Sequence, residues 1–500
     1  MARRRRARPS RLLEKAAPLH VVRLGETGPH YHELMAGRFD VAVIGAGASG
    51  VLLAAHLARI GPHRHVALLD AGARAARGLA YGTPYGAHLL NVPAAKMSAF
   101  DDEPDHFVAW LQSRDPAASG RTYAARSLYG DYLSEVLATV MTAAPGRISR
   151  IAGTAVGLTR ESNDWKVHLH DGRTVVASTI VLALGNLPPA DPISSEAGRA
   201  ENYLRDPWGP GAAQGLASEA PVLIIGTGLT MVDLVLALRA EGHRGTIHAI
   251  SRRGLLPCAH VPYLPRPLSS ALIGVAGASP LGVIRSLRRE LASASSEGHD
   301  WRAVIDALRP NTQAIWQGWT TRQRASFLRH ARPFWEIHRH RLAPEVATEV
   351  DVLLREGTLI VYRGRIASMR DIPGGVSVDW HDATGSRSEL QVARVINCTG
   401  PEGNYAAIDL PLVVQMRRAG WLLPDALGLG VETDEDGRLV RSDRSPVAGL
   451  FTIGPLRRPA LWESTAIPEI RTQAAALARL LTTQFSDASK ADYDLRSRLR

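Results

Sequence analysis

The chain has 500 residues, 45% hydrophobic and 21% charged, with a formal net charge of +11. That length exceeds one ordinary core, so two or three lobes are expected, and no run approaches the ~18 consecutive apolar residues of a spanning helix, which argues against a membrane protein. Much of the positive charge is terminal (Arg3, Arg4, Arg5, Arg6, Arg8 and Arg11; Arg496, Arg498 and Arg500), with no aromatic-interleaved basic surface to suggest nucleic acid and no apolar h-region to suggest export, so a cytoplasmic location is expected.

Residues 1–37 lack sustained periodicity and read as a basic tail. Phe39–Gly50, FDVAVIGAGASG, is then a buried strand running into Gly45, Gly47 and Gly50 on the G-x-G-x-x-G spacing. Gly45 permits a tight turn, Gly47 lets the backbone approach a pyrophosphate, and Gly50 lets the helix pack close to the strand. The helix start, with Ala48 and Ser49, offers free N–H groups to phosphate. A helix to Ile60 and a strand His65–Leu69 follow, ending in Asp70, whose carboxylate can accept from ribose hydroxyls. The glycine spacing alone would be weak; strand, glycines, helix, strand and terminal acid together predict a dinucleotide fold.

Gly78–Phe100, GLAYGTPYGAHLLNVPAAKMSAF, holds too many breakers for a regular element and reads as a wrap around a planar ligand, the alternative being a surface loop. Helices are expected over Pro104–Ser113 and Ser127–Thr142, then strands from Ile148 to Leu184, with a hairpin turn at Asp171 and Gly172 and a buried strand ending at Gly185. Residues 38–195 would form the first part of an FAD-type domain, and 196–218, rich in Pro, Gly, Ser and Ala, a linker.

The pattern then repeats. Pro221–Ile225 is a short strand, Gly226 and Gly228 begin a second glycine turn, Thr230–Ala240 is a helix, and Thr246–Ile250 is a strand. Met231 stands where the third glycine would be, which weakens this second fingerprint. The unit ends in Ser251, Arg252 and Arg253 with no acid. An acid there would repel a 2′-phosphate, whereas a serine and two guanidiniums can bind one, so NADPH is favoured over NADH; alternatively these arginines only solvate a strand end. Thr358–Arg365, Val376–Trp380 and Gln391–Gly400 complete the repeat, VINCTG echoing VLALG, and give a second domain over 219–400 with a helical insertion at about 265–356. Residues 401–485 would return to the first domain through the strand Leu450–Ile453 and the helix Ile467–Leu481, leaving 486–500 as a tail. The expected class is α/β, two nested Rossmann-like dinucleotide-binding domains with a helical insertion.

Within the insertion, Trp335, His338, Arg339, His340 and Arg341 crowd one stretch, shortly after Trp316 and Trp319. Arg332 with Glu336, and Trp335 with Arg339, share a face at a spacing of four. The stretch is either a basic solvated helix with inward tryptophans or a carboxylate-binding wall in which Arg339 or Arg341 fixes an acidic substrate. His338 and His340 point apart on a helix, so no metal site is expected. Cys258 and Cys398 read as buried, unreactive thiols, and the lack of C-x-x-C excludes the local pair used by many disulfide reductases. No general base stands out.

The order of the two glycine turns, the ALG and CTG strand ends and the closing TIGP resemble the two-dinucleotide-fold flavoproteins, the group containing the class B flavin monooxygenases. GLAYGTPYGAHLLNVPAAKMSAF, RSLYGDYL, IGTGLTMVD, FWEIHRHRLAP and WESTAIPEIRTQA are similar to bacterial FAD/NAD(P)-binding proteins, over roughly Phe39 to Leu481. Some flavin enzymes similar to this group N-oxygenate small amino acids in natural-product pathways. The resemblance implies that Gly45, Gly47, Ala48, Ser49, Gly50 and Asp70 hold the ADP half of FAD, and that Asn91, Pro93 and Met97 lie by the isoalloxazine. It implies that Gly226, Gly228, Thr230, Ser251, Arg252 and Arg253 take NADPH, that Gly185, Gly400 and Gly454 also border the cofactors, and that Ile467 and Pro468 open a helix whose positive end faces the flavin pyrimidine. Two departures stand out: Pro455 follows Gly454 where many relatives place an acid for the ribityl chain, and the F-x-G-x-x-x-H-x-x-x-W signature is absent, which argues against the Baeyer-Villiger and S-oxygenating subgroups.

The activity so implied is an FAD- and NADPH-dependent monooxygenase. Hydride passes from nicotinamide to flavin N5, molecular oxygen adds at C4a, and the C4a-hydroperoxide oxygenates a small acidic or amine-bearing nucleophile, with aspartate N-oxygenation as one form. A flavin reductase without oxygen transfer and a nucleotide-binding regulatory protein are the alternatives.

Overall fold

The computed structural model describes residues 37–61, 64–72, 76–193, 200–269, 272 and 277–498, with 486–498 as backbone only. The expected N-terminal tail lies outside the described residues. From Phe39 onward the chain forms one compact unit.

The first sheet is built around β1 (Phe39–Ile44), whose Val41, Ala42 and Val43 are 0% exposed. A strand covered on both faces needs such an unbroken apolar run. It pairs in parallel with β2 (Val66–Asp70) on one side and with β6 (Thr174–Leu182) on the other. β3 (Ile148–Ala152) extends the sheet beyond β2, while β15 (Pro446–Thr452) and then β14 (Arg438–Val440) extend it beyond β6. β4 (Ala155–Glu161) and β5 (Asp164–Leu169) form an antiparallel flap that enters β6 through the turn at Gly172, where φ is +85°. The helix Ala48–Ile60 covers one face and packs against the C-terminal helix Ile467–Arg498 through Ala474, Leu477, Ala478 and Leu481. That helix runs through the segment expected as a tail from residue 486.

The second sheet repeats the plan. β8 (Val222–Ile225) lies between β9 (Ile247–Ser251) and β13 (Arg394–Asn397), all parallel, and β10 (Leu359–Ile372) adds in parallel to β9. β10 then bends away to pair antiparallel with β11 (Gly375–Asp382), which pairs with β12 (Arg387–Val392). The expected linker is not structureless, because β7 (Tyr203–Leu204) adds to the edge at β13. Arg394 pins the same segment by donating to the Gly211 carbonyl at 2.8 Å and the Gln214 carbonyl at 2.7 Å. The helix Pro344–Arg355, expected inside the insertion, instead buries Val346, Ala347, Val350 and Leu353 in the second lobe's core and serves as the crossover into β10. The insertion proper is a cluster of helices between Pro280 and Arg339, closed around Trp316 and Trp319.

The lobes are tied by polar contacts. Arg126 pairs with Asp233 at 2.7 Å, and Tyr85 donates to Glu241 at 2.8 Å. His88 Nε2 faces the Asp233 carbonyl at 2.7 Å and must donate, which leaves Nδ1 to accept from Thr83 at 2.8 Å. Burial lowers the His88 pKa, in keeping with that neutral tautomer.

Candidate active site

Two glycine cradles stand at the C-terminal ends of the two sheets. In the first, the Gly45 N–H donates to Leu69 O at 3.0 Å, φ is +111°, and a Cβ would lie 2.3 Å from Ala183 O. Only glycine fits there. A Cβ on Gly50 would lie 1.9 Å from Gly45 O, so strand and helix touch at this point. Gly47, the N-cap of the helix, has only Gly78 nearby, at 3.7 Å, and the helix's first N–H groups are not capped by a side chain. An anionic group can therefore approach Gly47, with Ala48 and Ser49 in the first turn. Gly454 closes the cradle from the end of β15: a Cβ there would meet Ser49 Oγ at 2.7 Å. Its N–H donates to Gln473 Oε1 at 3.0 Å, while Gln473 Nε2 is buried without an acceptor among the described residues. Asp70 ends β2, accepting from the Gly72 N–H at 3.1 Å. An open backbone approach, an uncapped helix start, an acid at the second strand's end and an orphaned buried amide all fit a dinucleotide such as FAD.

The second cradle copies the first. Gly226 donates to Ile250 O at 2.8 Å, has φ +110°, and would place a Cβ 2.4 Å from Cys398 O. Gly228 caps the helix Leu229–Ala240 with no atom within 4 Å of where its Cβ would be, and Thr230 lies in the first turn. Met231 is 0% exposed, its side chain filling core space where the first cradle brings backbone against backbone. Gly185 and Gly400 lie in the loops just past β6 and β13, at φ +69° and +94°.

At the strand end expected to take a 2′-phosphate, the three expected residues part company. Thr227 Oγ1 donates to Leu255 O at 2.6 Å, so Ser251 must give its own proton to Thr227 at 2.9 Å, and it accepts from the Gly254 N–H at 3.0 Å. Its hydroxyl has no proton left for a phosphate. Arg253 turns to the insertion, donating to Arg329 O at 3.1 Å and lying 5.1 Å over the Phe334 ring. Arg252 alone is exposed with no partner among the described residues. Arg363, in parallel register with Ser251 on β10, is exposed beside it; only the strand pairing reveals this.

A cleft of about 360 Å³ opens between the lobes, lined by Gly78, Thr83 and Tyr85 from one and by Trp208, Thr230 and Leu234 from the linker and the other. Gly78 touches Gly47, and Thr230 follows Gly228, so this cleft reaches both cradles.

An ionic cluster is drawn from five stretches of the chain. The turn Ala94–Lys96, entered from Pro93, brings Lys96 to it, while Met97 is 2% exposed and packs into the first lobe's core. His260 Nε2 donates to the Asn91 carbonyl at 3.1 Å. Burial first, and Arg341 next, push the His260 pKa down to about 4, so the ring is neutral. Burial also lowers the Lys96 pKa; Asp306 opposes this, and Arg309, Arg339 and Arg341 add to it.

Arg339 ends the helix Arg332–Arg339, whereas Arg341 lies past it in a segment bridged to Ala259, so the two do not form one helical face. Neither is solvated, at 8% and 1% exposed. Arg339 pairs with Glu463 at 3.1 Å and approaches Glu469 at 3.7 Å; Arg309 Nε reaches Glu469 at 2.8 Å. Arg341 and Tyr263 both bond Asp306. Burial first, then the hydrogen bond to Asp306, pushes the Tyr263 phenol up to about 12. The expected Arg332 to Glu336 pair forms, at 2.8 Å. Ile467 and Pro468 open the C-terminal helix, and Glu469 carries negative charge in its first turn.

Several atoms of the cluster are buried without partners among the described residues: Arg339 Nε, Arg341 Nε and Nη1, Glu463 Oε1, Ser464 Oγ and Glu469 Oε2. Sequence reasoning missed Lys96, Asp306, Glu463 and Glu469. The only signal for the three acids was that buried arginines require carboxylates, and Lys96 had none. The backbone at Trp462 is strained to place this set: φ is +60° and ψ −60°, with the Glu463 N–H donating to Leu461 O at 2.7 Å, a γ-turn of the rare sign. Of the cysteines, Cys398 is buried but Cys258 only half-buried, and burial raises both thiol pKa values.

Residues 42–187 match the model of an FAD-NAD(P)-binding family. An uncharacterized protein of Mycobacterium tuberculosis is 23% identical over 89% of this chain and 95% of its own length. Among solved structures, the reduced form of the ornithine hydroxylase PvdA from Pseudomonas aeruginosa superposes with a TM-score of 0.63 at 16% identity, covering 90% of this chain and all of that one. An ornithine N-hydroxylase from Kutzneria sp. 744 gives 0.59 at 14% identity over 90% of this chain and all of its own. These likenesses establish the two-dinucleotide flavoprotein fold.

Proposed function

We propose that the protein is an FAD- and NADPH-dependent monooxygenase that N-oxygenates an amine carrying a carboxylate. The observation that carries the substrate class is the ionic cluster, in which buried donors on Arg339 and Arg341 and buried acceptors on Glu463 and Glu469 lack partners among the described residues, while Arg339 itself pairs with Glu463. Buried polar groups left without partners are costly, about 1–3 kcal/mol each, and a zwitterion supplies both kinds at once. The matched family over residues 42–187, and two structural neighbours named as ornithine hydroxylases, support the flavin reading.

FAD, when bound, supplies the redox chemistry, accepting hydride and activating molecular oxygen. The first cradle, through Gly47 and Asp70, would hold its ADP half, and the second, through Gly228, Arg252 and Arg363, would hold NADPH. The start of the helix at Ile467 is the positive end of its dipole and favours negative charge nearby. Arg339, Arg341 and Lys96 would hold the substrate carboxylate, and Glu463 and Glu469 would orient the amine group, which must lose its ammonium proton before its nitrogen can be oxygenated. His260, neutral and fixed on Asn91, adds no charge to the site.

The test is a screen of amino acids, aspartate and ornithine included, and of simple amines for substrate-stimulated NADPH oxidation under isotopically labelled oxygen. One labelled oxygen atom in an N-oxygenated product is the expected result. Product oxygen drawn only from water would overturn the proposal.

A further inference from the structure

The insertion forms a half-open cavity of about 450 Å³ that none of the cofactor or ionic groups lines. Its lining includes Ile284, Leu287, Ile305, Trp316, Phe327 and Trp462, with Trp335 among them. The size and the mainly apolar, aromatic lining are those of a small-molecule site, commonly about 300–1,000 Å³. Arg288, Thr312, His330 and His338 add polar groups to the lining, and the Trp335 indole N–H is buried with no acceptor among the described residues. A core tryptophan normally finds one.

The cavity and the ionic cluster share a wall. Trp335 lies one helical turn before Arg339, and the Trp301 ring, which also lines the cavity, is 5.7 Å from the Arg341 guanidinium. Trp462 lines the cavity, and the next residue, Glu463, binds Arg339. The strained γ-turn at Trp462 makes this division: it turns the indole toward the insertion, where it stacks on Trp316 at 4.7 Å and meets Phe327 edge-on at 5.2 Å, and sends the adjacent carboxylate to the cluster. Strain of this kind persists where surrounding contacts enforce it.

We propose that this cavity receives the apolar body of the substrate, an aromatic or branched hydrocarbon group, while the carboxylate and amine lie at the Arg339–Glu463 cluster. The inference rests on the monooxygenase reading and narrows its substrate from any small amino acid to one with a large apolar side group.

The experiment has two arms on the FAD-loaded full chain and on I284W, which adds bulk in the cavity's lining without touching the cluster or either cradle. The first arm titrates anilinonaphthalene sulfonate and reads its fluorescence, with energy transfer from tryptophan. Saturable binding, weakened at least tenfold in I284W while flavin content and thermal midpoint stay unchanged, is expected. No saturable binding, or equal binding by both proteins, overturns the site. A second variant, L287W, repeats the comparison from another wall, so a folding failure of one variant leaves the test intact. The second arm compares kcat/KM for aspartate, leucine, phenylalanine and tryptophan. A rise of at least tenfold from aspartate to the aromatic amino acids, lost in I284W, is expected; a flat series, or preference for aspartate, overturns the substrate assignment. Dye binding does not depend on flavin chemistry, so failure of the cavity and failure of the monooxygenase reading give different results.

Discussion

Gly45 and Gly226 occupy equivalent places in two halves of one chain, with φ of +111° and +110° and a strand-end carbonyl 2.3 Å or 2.4 Å from where a Cβ would be. The halves diverge five residues on. At Gly50 the first cradle brings helix and strand into backbone contact, whereas at Met231 the second fills the space with a side chain. They diverge again at the ends of β2 and β9, one in Asp70 and the other in Ser251 followed by Arg252. The shared geometry is what any pyrophosphate needs. The differences mark which nucleotide each half is made for and how tightly its helix is fixed.

Substitution at the third glycine position separates the halves most sharply. Gly50→Ala puts a methyl group 1.9 Å from Gly45 O, a backbone atom that cannot yield. Overpacking of this kind costs about 1–3 kcal/mol or more, and we expect flavin content to fall below a tenth, read by absorbance of the purified protein alongside its thermal midpoint. Met231→Ala fails the opposite way, by cavity formation at about 2–5 kcal/mol, with flavin still bound wherever the protein stays folded.

The ionic cluster comes next. Arg339→Ala leaves Glu463 buried and unpaired, and a broken buried pair costs about 3–5 kcal/mol. Expected are a fall of at least a hundredfold in kcat/KM for the substrate and little change in the rate at which NADPH reduces the flavin. An unchanged kcat/KM would remove Arg339 from the site.

The arginines beyond β9 give a smaller effect. Arg252→Ala and Arg363→Ala should each raise the KM for NADPH about tenfold, near 1.4 kcal/mol, and leave NADH unaffected. Arg253→Ala should change it less, because that guanidinium is held by Arg329 O. Equal effects at Arg252 and Arg253 would contradict the assignment.

The pH dependence should be weakest. His260 has a folded pKa depressed to about 4 from an ordinary 6.5, so between these values the unfolded chain binds the extra proton. Stability from the neutral ring is present above about 6.5 and lost as pH falls toward 4. His260→Gln should flatten that limb by about 1–2 kcal/mol in denaturant titrations at pH 4.5 and pH 7. Parallel limbs would mean that the ring is not held neutral.

The cradles could be read from the chain because a glycine turn depends on local spacing: Gly45, Gly47, Gly50 and Asp70 sit within one strand–helix–strand unit. The roles of Arg252 and Arg253 could not, since whether a guanidinium faces solvent or another segment's carbonyl depends on the insertion packed beside it. Arg339 and Arg341 looked like one helical wall, but the helix stops before His340, and the carboxylates that hold them come from Asp306, Glu463 and Glu469. Such pairings span the chain and leave no periodicity. The same holds for β7, too short to carry an alternating pattern, and for the helix Pro344–Arg355, whose apolar face gives no sign of which core it joins.

If the two cradles serve one electron transfer, a nicotinamide held in the second must reduce a flavin held in the first. Anaerobic rapid mixing of FAD-loaded protein with NADPH, unlabelled or deuterated at the transferred position, measures that step. The visible flavin band should bleach, more slowly with deuterium, and more slowly still in Arg252→Ala at subsaturating NADPH. A flavin that stays oxidised in the presence of saturating NADPH would contradict the shared role of the cradles.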